Sequence, residues 1–585
     1  MIVLAALVYL IPFVPRGWVP HDEGMLGQSA DRVLQGALPH VDYEEPYTGG
    51  LTYLYAGLFR IAGVDLLNVR WLLFAGAAGA AWITYAVTRR QLRPLGAALA
   101  TWVAITWSFP NYLAGLPSWW LLLCALLELW AMIRSVETRK PRYLVLAAGA
   151  AGVAMTMKQT GAYLVVALGL WVLYDGGAVR RDSPRPHDPD TAVRWGAGIS
   201  ALAFAAVMLA PRLSGADGLY LFAPAAATAL VLFFPKHGDP ERTQAPSAVA
   251  CAMLAGVVAA VPLAILLIPY GLRHHLGDLF NGALILPQKR LAFASMSMPS
   301  AWWMLTAAPL LGLAVLESRR ADSSSIAAAG MTWASAVALP LAALWNGHIY
   351  QLIWQSVRTL AAALPLVIVW LLVTGRVPDS RKRSVLFAGA AVLAWTSLNQ
   401  YPFAAPIYFS YTTPLAVAAA VVTADAAGCL RTRATLPFAT LLVLFAVFIE
   451  NRGDIHSLGQ FHAPARFDTQ LGLARAHLRV SAGEADVYRR LMETMGARYR
   501  GGQLIAGPDC PEVYFLAGLQ SPSGALFDFF SESKPDDAAR WLKGDVVIIN
   551  HEPQFSPVPS AALVAALQRE FVHGERIGRF EIRWR

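Results

Sequence analysis

Residues 247–269 read SAVACAMLAGVVAAVPLAILLIP, a run without one charged side chain. The hydrocarbon core of a bilayer is roughly 30 Å thick, and a helix rising about 1.5 Å per residue crosses it in about 20 residues. The run therefore predicts a transmembrane helix. On either side of it, comparable apolar stretches recur near 1–15, 67–88, 94–110, 118–134, 142–157, 160–175, 195–211 and 218–235. Further ones follow near 300–317, 326–345, 358–375, 384–398, 411–428 and 435–450. The composition agrees: 56% of the 585 residues are hydrophobic and 15% charged, against about 25% charged in an ordinary soluble domain. Mean hydropathy is +0.46. The expected fold class is mainly α, a polytopic transmembrane helical bundle.

Several function classes are excluded at this level. The net charge is +9, but Lys and Arg sit in short groups between apolar segments rather than in one basic domain, so no nucleic-acid partner is expected. Cys124, Cys251, Cys429 and Cys510 are far apart and show no CxxC or Cys/His spacing, which argues against a disulfide framework or a zinc site. Met1 to Pro15 lacks a basic n-region and an A-x-A cleavage site and reads as an uncleaved first span.

Charge sets an orientation. With the N-terminus inside, the even-numbered spans end in turns carrying Arg89, Arg90 and Arg93, then Arg134, Arg139, Lys140 and Arg142, then Arg180, Arg181, Arg185 and Arg194. Arg376, Arg381, Lys382 and Arg383 continue the series. These turns hold roughly twice the basic residues of the opposite loops, the bias expected of cytoplasmic loops. Fifteen spans then place everything after Glu450 outside. Residues 1–450 form the membrane domain, with a first external loop at 16–66, and residues 451–585 a second, soluble one. The second domain reads as a helix near Ala485 to Tyr499, a strand at Gln503 to Ala506, and short helices at Glu512 to Ala517 and Asp536 to Leu542. A strand at Asp545 to Asn550, a helix at Ser560 to Phe571 and a strand at Arg576 to Trp584 complete it. This order suggests a small extracytoplasmic α/β domain, and it contains no G-x-G-x-x-G or P-loop.

The first external loop carries the chemistry-bearing residues. Asp22 can cap a helix from Glu23 to Gln35, closed at Gly36, whose apolar face (Leu26, Ala30, Val33, Leu34) would lie along the membrane surface. A second helix, Leu51 to Ile61, follows the turn PYTGG. Capping and the helix dipole alone would account for Asp22 and Glu23. Yet Asp22, Glu23, Asp42, Glu44 and Glu45 fall within one short loop, and clustered acids repel unless a cation or proton sits among them. The loop therefore suits a divalent metal ion, an acceptor hydroxyl or a cationic substrate.

Asp22-Glu23-Gly24, Arg32-Val33-Leu34 with Gly36, and Asp42-Tyr43-Glu44-Glu45-Pro46-Tyr47 resemble the GT-C glycosyltransferase superfamily, its protein mannosyltransferase and aminoarabinose transferase branches in particular. The resemblance extends to Lys158-Gln159, the external segment Asp278 to Arg290, the Gln400-Tyr401-Pro402-Phe403 loop and the external C-terminal domain. It implies transfer of a sugar from a polyprenyl-phosphate donor to a lipid, glycan or protein acceptor at the outer face of the inner membrane. It places the catalytic base on Asp22 beside Glu23, with Asp42, Glu44, Glu45 and Tyr47 near the substrates. The aminoarabinose branch carries an acidic residue followed by Lys and Pro where this chain has Glu44-Glu45-Pro46. The phosphate contact is then sought at Lys158, Gln159, Lys289 and Arg290. Blander readings stand beside these: a headgroup anchor for Lys158, binding of membrane lipids for Lys289 and Arg290, an interfacial aromatic belt for Tyr408, Phe409 and Tyr411. A transporter or flippase of lipid-linked glycans would share the hydropathy profile, and a polymerase or ligase of O-antigen type would share the donor side.

Overall fold

The central run folds as the helix Ala248–Leu272, whose start is capped by the Ser247 hydroxyl accepting from the Ala250 N–H at 3.1 Å. This helix is mostly exposed along its apolar length, as a lipid-facing helix must be. The structure, a computed structural model, describes residues 2–176, 189–234, 247–306, 326–428, 432–452, 467–529 and 538–585. Much of the span expected near 300–317, with Arg180, Arg181, Arg185 and Cys429, lies outside the described residues. Among these residues, five helices are long and apolar enough to cross a membrane: Leu66–Thr88, Pro117–Thr138, Thr191–Arg212, Ala248–Leu272 and Gly347–Val373. Shorter helices, among them Pro94–Thr106, Pro141–Met157, Ala162–Gly176, Ser380–Ser397 and Thr413–Ala426, pack with them. The chain is a multi-pass membrane protein.

The helices alternate in direction, so their ends form two chemically different caps. At one end the turn residues pair ionically: Arg90 and Arg134 donate to Glu137 at 2.6 and 2.8 Å, Arg139 to Asp175 at 3.2 Å, and Lys382 to Asp425 at 3.1 Å. At the other end lie the first loop, the Lys158 turn, the segment around Asn399 and the C-terminal region.

The first loop departs from its expected form in two ways. Its helix is Pro20–Leu34, beginning two residues before Asp22. Pro20 occupies the first turn, where a missing N–H costs nothing, and Asp22 makes no cap. The far end is as expected: Gly36 takes φ +97°, Gly36 N–H bonds Val33 O and Ala37 N–H bonds Arg32 O, a Schellman closure. Nor does this helix lie on the membrane surface. Residues Glu23 to Arg32 are buried, because the helix is covered by Gly50–Ala62 and by Pro511–Ala517 of the C-terminal region.

Among its described residues that region holds six strands: β1 (Thr469–Gln470) and β2 (Arg479–Val480) pair with each other, while β3 (Leu504–Gly507), β4 (Val546–Asn550), β5 (His573–Ile577) and β6 (Phe580–Trp584) form a sheet of order β3-β4-β6-β5. β3 and β4 run parallel and the other pairs antiparallel. The single strand expected at Arg576 to Trp584 is a hairpin, turned at Gly578 with φ +58°. The helices Ala482–Arg498, Pro511–Ala517 and Ala561–Glu570 match their expected places. The region is stitched to the first loop by Arg475 donating to Asp31 at 2.9 Å, His477 against Asp65 at 2.7 Å, and Arg479 N–H to Pro15 O at 2.6 Å.

Candidate active site

Asp22 and Glu23 are neighbours with separate fates. Glu23 is buried, and Arg70, fully buried on Leu66–Thr88, donates Nε to Glu23 Oε1 at 2.7 Å and Nη2 to Oε2 at 2.8 Å. Oε2 also accepts the Val19 N–H at 2.9 Å. Glu23 thus fixes the start of the helix that carries Asp22. Asp22 turns the other way, where Tyr112 OH donates to Oδ2 at 2.5 Å and His21 Nε2 stands 3.9 Å from the same oxygen.

The other loop carboxylates do not converge on Asp22. Glu45 is buried, accepting Ser29 Oγ at 2.7 Å and Thr52 Oγ1 at 2.9 Å, and burial raises its carboxyl above the usual range. Asp42 is exposed and accepts the Leu38 N–H at 2.6 Å. Glu44 joins the C-terminal region through its N–H to Gly524 O at 3.1 Å. The acid density that suggested a cation is therefore spread over separate structural bonds. No group of three or more His, Cys, Asp or Glu that could hold a metal ion occurs among the described residues. His275 Nδ1 stands 2.7 Å from Asp278 Oδ2.

What surrounds Asp22 is cationic and aromatic. Arg290 lies within electrostatic reach of Asp22, Tyr47 and Tyr408 and hydrogen-bonds Tyr408; burial opposes its charge, but these neighbours outweigh burial and its pKa is raised. Lys158 forms the end of Pro141–Met157, is buried, and donates Nζ to Asn399 Oδ1 at 2.7 Å and Ser118 Oγ at 3.1 Å. Its ammonium also stands 5.4 Å from the Tyr408 ring centroid. Burial, then the neighbouring Arg290 charge, push Lys158 down to about 7. Among the described residues no carboxylate lies in ion-pairing distance of Lys158, so a buried cation is held by neutral oxygens alone. Gln159 donates Nε2 to Pro46 O at 3.1 Å, tying this turn to the first loop next to Tyr47. Tyr47 is buried, and burial raises its phenol. Lys289 is exposed beside Arg290.

Sequence reading missed Tyr112, Ser118 and Asn399. Tyr112 and Asn399 lie in short connectors and Ser118 in the first turn of Pro117–Thr138, all at the same end of the bundle as Lys158, and that shared side was the available signal. The belt reading of Tyr411 and Phe409 is corrected: both are buried, Tyr411 edge-on to Trp119 at 4.5 Å and Phe409 edge-on to Trp354 at 5.3 Å. The packed rings fix the wall that presents Tyr408.

Residues 50–188 match the family of dolichyl-phosphate-mannose-protein mannosyltransferases. The matched segment contains Tyr112, Ser118, Lys158 and Gln159, with Asp22 just ahead of it. No curated protein matches this chain. Among solved structures, it is similar to the oligosaccharyltransferase AglB of Archaeoglobus fulgidus in complex with an inhibitory peptide and a dolichol-phosphate, at 13% identity and TM-score 0.44, covering 93% of this chain and 69% of that one. It is also similar to ArnT of Cupriavidus metallidurans bound to undecaprenyl phosphate, at 12% identity and TM-score 0.37, covering 100% and 97% of the two chains.

Proposed function

We propose that this GT-C chain is a glycosyltransferase that moves a sugar from a polyprenyl-phosphate donor to a hydroxyl of a lipid, glycan or protein acceptor on the outer side of the cytoplasmic membrane. One observation carries the reading: the Asp22 carboxylate lies within electrostatic reach of Arg290, and Arg290 within reach of Lys158, whose ammonium is held by the neutral oxygens of Asn399 and Ser118. Such a cluster suits a phosphate ester whose neighbouring carbon is attacked by a hydroxyl.

The chemistry follows from the charges. Asp22 takes the proton from the acceptor hydroxyl as its oxygen bonds to the anomeric carbon. The bond from that carbon to the phosphate oxygen breaks, and one displacement inverts the configuration. Polyprenyl phosphate leaves as an anion, so no general acid is needed. Lys158 and Arg290 offset its negative charge in a site of low dielectric, with the Ser118 and Asn399 side chains holding Lys158 in place. Glu23 acts through position, by anchoring the helix.

The test is transfer from polyprenyl-phosphate hexoses to glycan and peptide acceptors by purified protein, native against Asp22→Asn. Loss of transfer in the variant, with donor still bound, is expected. Equal transfer by both removes Asp22 as base, and translocation of glycolipid across vesicles without bond formation replaces the reading with a flippase.

A further inference from the structure

Asp22 has two carboxylate oxygens, and the protein treats them differently. Oδ2 accepts the Tyr112 hydroxyl at 2.5 Å and has His21 Nε2 at 3.9 Å. Oδ1 accepts no hydrogen bond among the described residues. Tyr112 is buried and held along its whole length. Its N–H bonds Phe109 O at 3.2 Å, and its carbonyl accepts the Trp119 indole N–H at 2.9 Å. The Trp119 ring stacks on Phe109 with centroids 4.4 Å apart. The same connector is fastened to the first loop by Tyr55 OH donating to Gly115 O. A tyrosine fixed this firmly has no freedom to follow a moving carboxylate, so the carboxylate is held by the tyrosine.

We propose that Tyr112 is the positioning residue of the base: by donating to Oδ2 it fixes the rotamer of Asp22 and leaves Oδ1 as the oxygen that receives the acceptor's proton. The inference rests on the reading of Asp22 as the base and deepens it. A hydrogen bond to the ionised form favours that form, and one to a charged group is among the stronger kind. Burial, then the Asp22 charge, raise the Tyr112 phenol well above its usual pKa, so Tyr112 stays a donor wherever Asp22 is ionised. The other titratable or charged groups facing Asp22 are His21 on its own helix, Tyr47 from the first loop, Arg290, and Tyr408 and Tyr411. Of these only His21 stands near Oδ2 in place of Tyr112, and at 3.9 Å it is too far to replace the bond.

Tyr112→Phe in the full chain removes the donor and keeps the ring. Transfer at neutral pH is expected to fall about ten- to a hundredfold, the scale of a hydrogen bond to a charged group. The donor KM should hold while kcat falls, because the donor's contacts are untouched and only the base is displaced. A purely structural role would lower the melting temperature together with the activity. Replacement by 3-fluorotyrosine, a donor of nearly the same shape, should keep transfer near the native level, and it keeps the test decisive if Tyr112→Phe folds poorly. A native kcat in Tyr112→Phe, or the same loss of transfer in the fluorotyrosine protein, with Asp22→Asn inactive, overturns the role of Tyr112 and leaves Asp22 as the base. An active Asp22→Asn overturns the reading of the base itself.

Discussion

Glu23 shows how the partner of a buried charge can be invisible in the sequence. Beside Asp22 it looks like a second catalytic carboxylate, but its partner, Arg70, lies 47 residues further on, and nothing local announces the pair. Glu23→Gln leaves a fully buried guanidinium without its counter-ion, and breaking such a pair costs roughly 3–5 kcal/mol. The expected result is a clear drop in the unfolding temperature of the detergent-solubilised protein; a variant that melts like the native chain but has lost transfer would put Glu23 back in the chemistry. Lys158 was legible, because an outer-side lysine between two spans is poorly explained by topology alone. Its partners Ser118 and Asn399 were not, since neutral residues carry no charge signal. With its pKa lowered to about 7, the free ammonium is present below that pH and lost as pH rises through it. Binding of polyprenyl phosphate should therefore weaken between about pH 6 and 8, measured by titration calorimetry, and Lys158→Arg should flatten this dependence because a guanidinium stays charged.

At the scale of elements, the fit between the first-loop helix and the C-terminal region depends on two glycines. A Cβ on Gly24 would stand 2.4 Å from the Glu512 backbone, and one on Gly27 would stand 2.8 Å from the Phe515 ring. Glu512 cannot retreat easily, being buried with Oε1 accepting Tyr488 OH at 3.0 Å and Arg579 Nη2 at 3.1 Å. Gly24→Ala should thus destabilise by about 1–3 kcal/mol despite the better helix propensity of alanine, and it should also lower transfer by shifting the turn that carries Asp22. Gly36→Ala is the control: nothing lies within 4 Å of its Cβ, but φ is +97°, so it should cost about 1–2 kcal/mol of stability and leave the pH dependence of transfer unchanged. Thermal melts paired with transfer assays separate the two. The C-terminal end of this helix could be read from Gly36 because a left-handed residue has a local sequence signature. Its start was displaced because Pro20 opened the helix before Asp22 could cap it. Its surroundings were hidden altogether, since the chain that covers it comes almost 500 positions later, at Pro511–Ala517.

For the whole molecule, hydropathy was enough to give the fold class and most helices, because lipid demands apolar helices whatever the tertiary detail. The alternation of helix direction then brings Asp22, Tyr112, Lys158 and Asn399 to one end and the Arg90, Glu137, Asp175 and Lys382 pairs to the other. Which end faces the cytoplasm is a question of charge bias, and it has a direct test. Lys140 lies exposed at the ion-paired end and Lys543 lies exposed in the C-terminal region at the site end. Each is changed to Cys in a chain whose native cysteines are replaced, and sealed right-side-out vesicles are treated with a membrane-impermeant maleimide. Lys543→Cys should label in intact vesicles, and Lys140→Cys only after lysis. The reverse result would put Asp22 and Lys158 in the cytoplasm and end the external-site proposal. Labelling of both in intact vesicles would mean that the helices between them do not alternate as the ion pairs require. The expected pattern follows from the same charges that made the turns legible: arginines and lysines held by Glu137, Asp175 and Asp425 stay on the side where translocation leaves them.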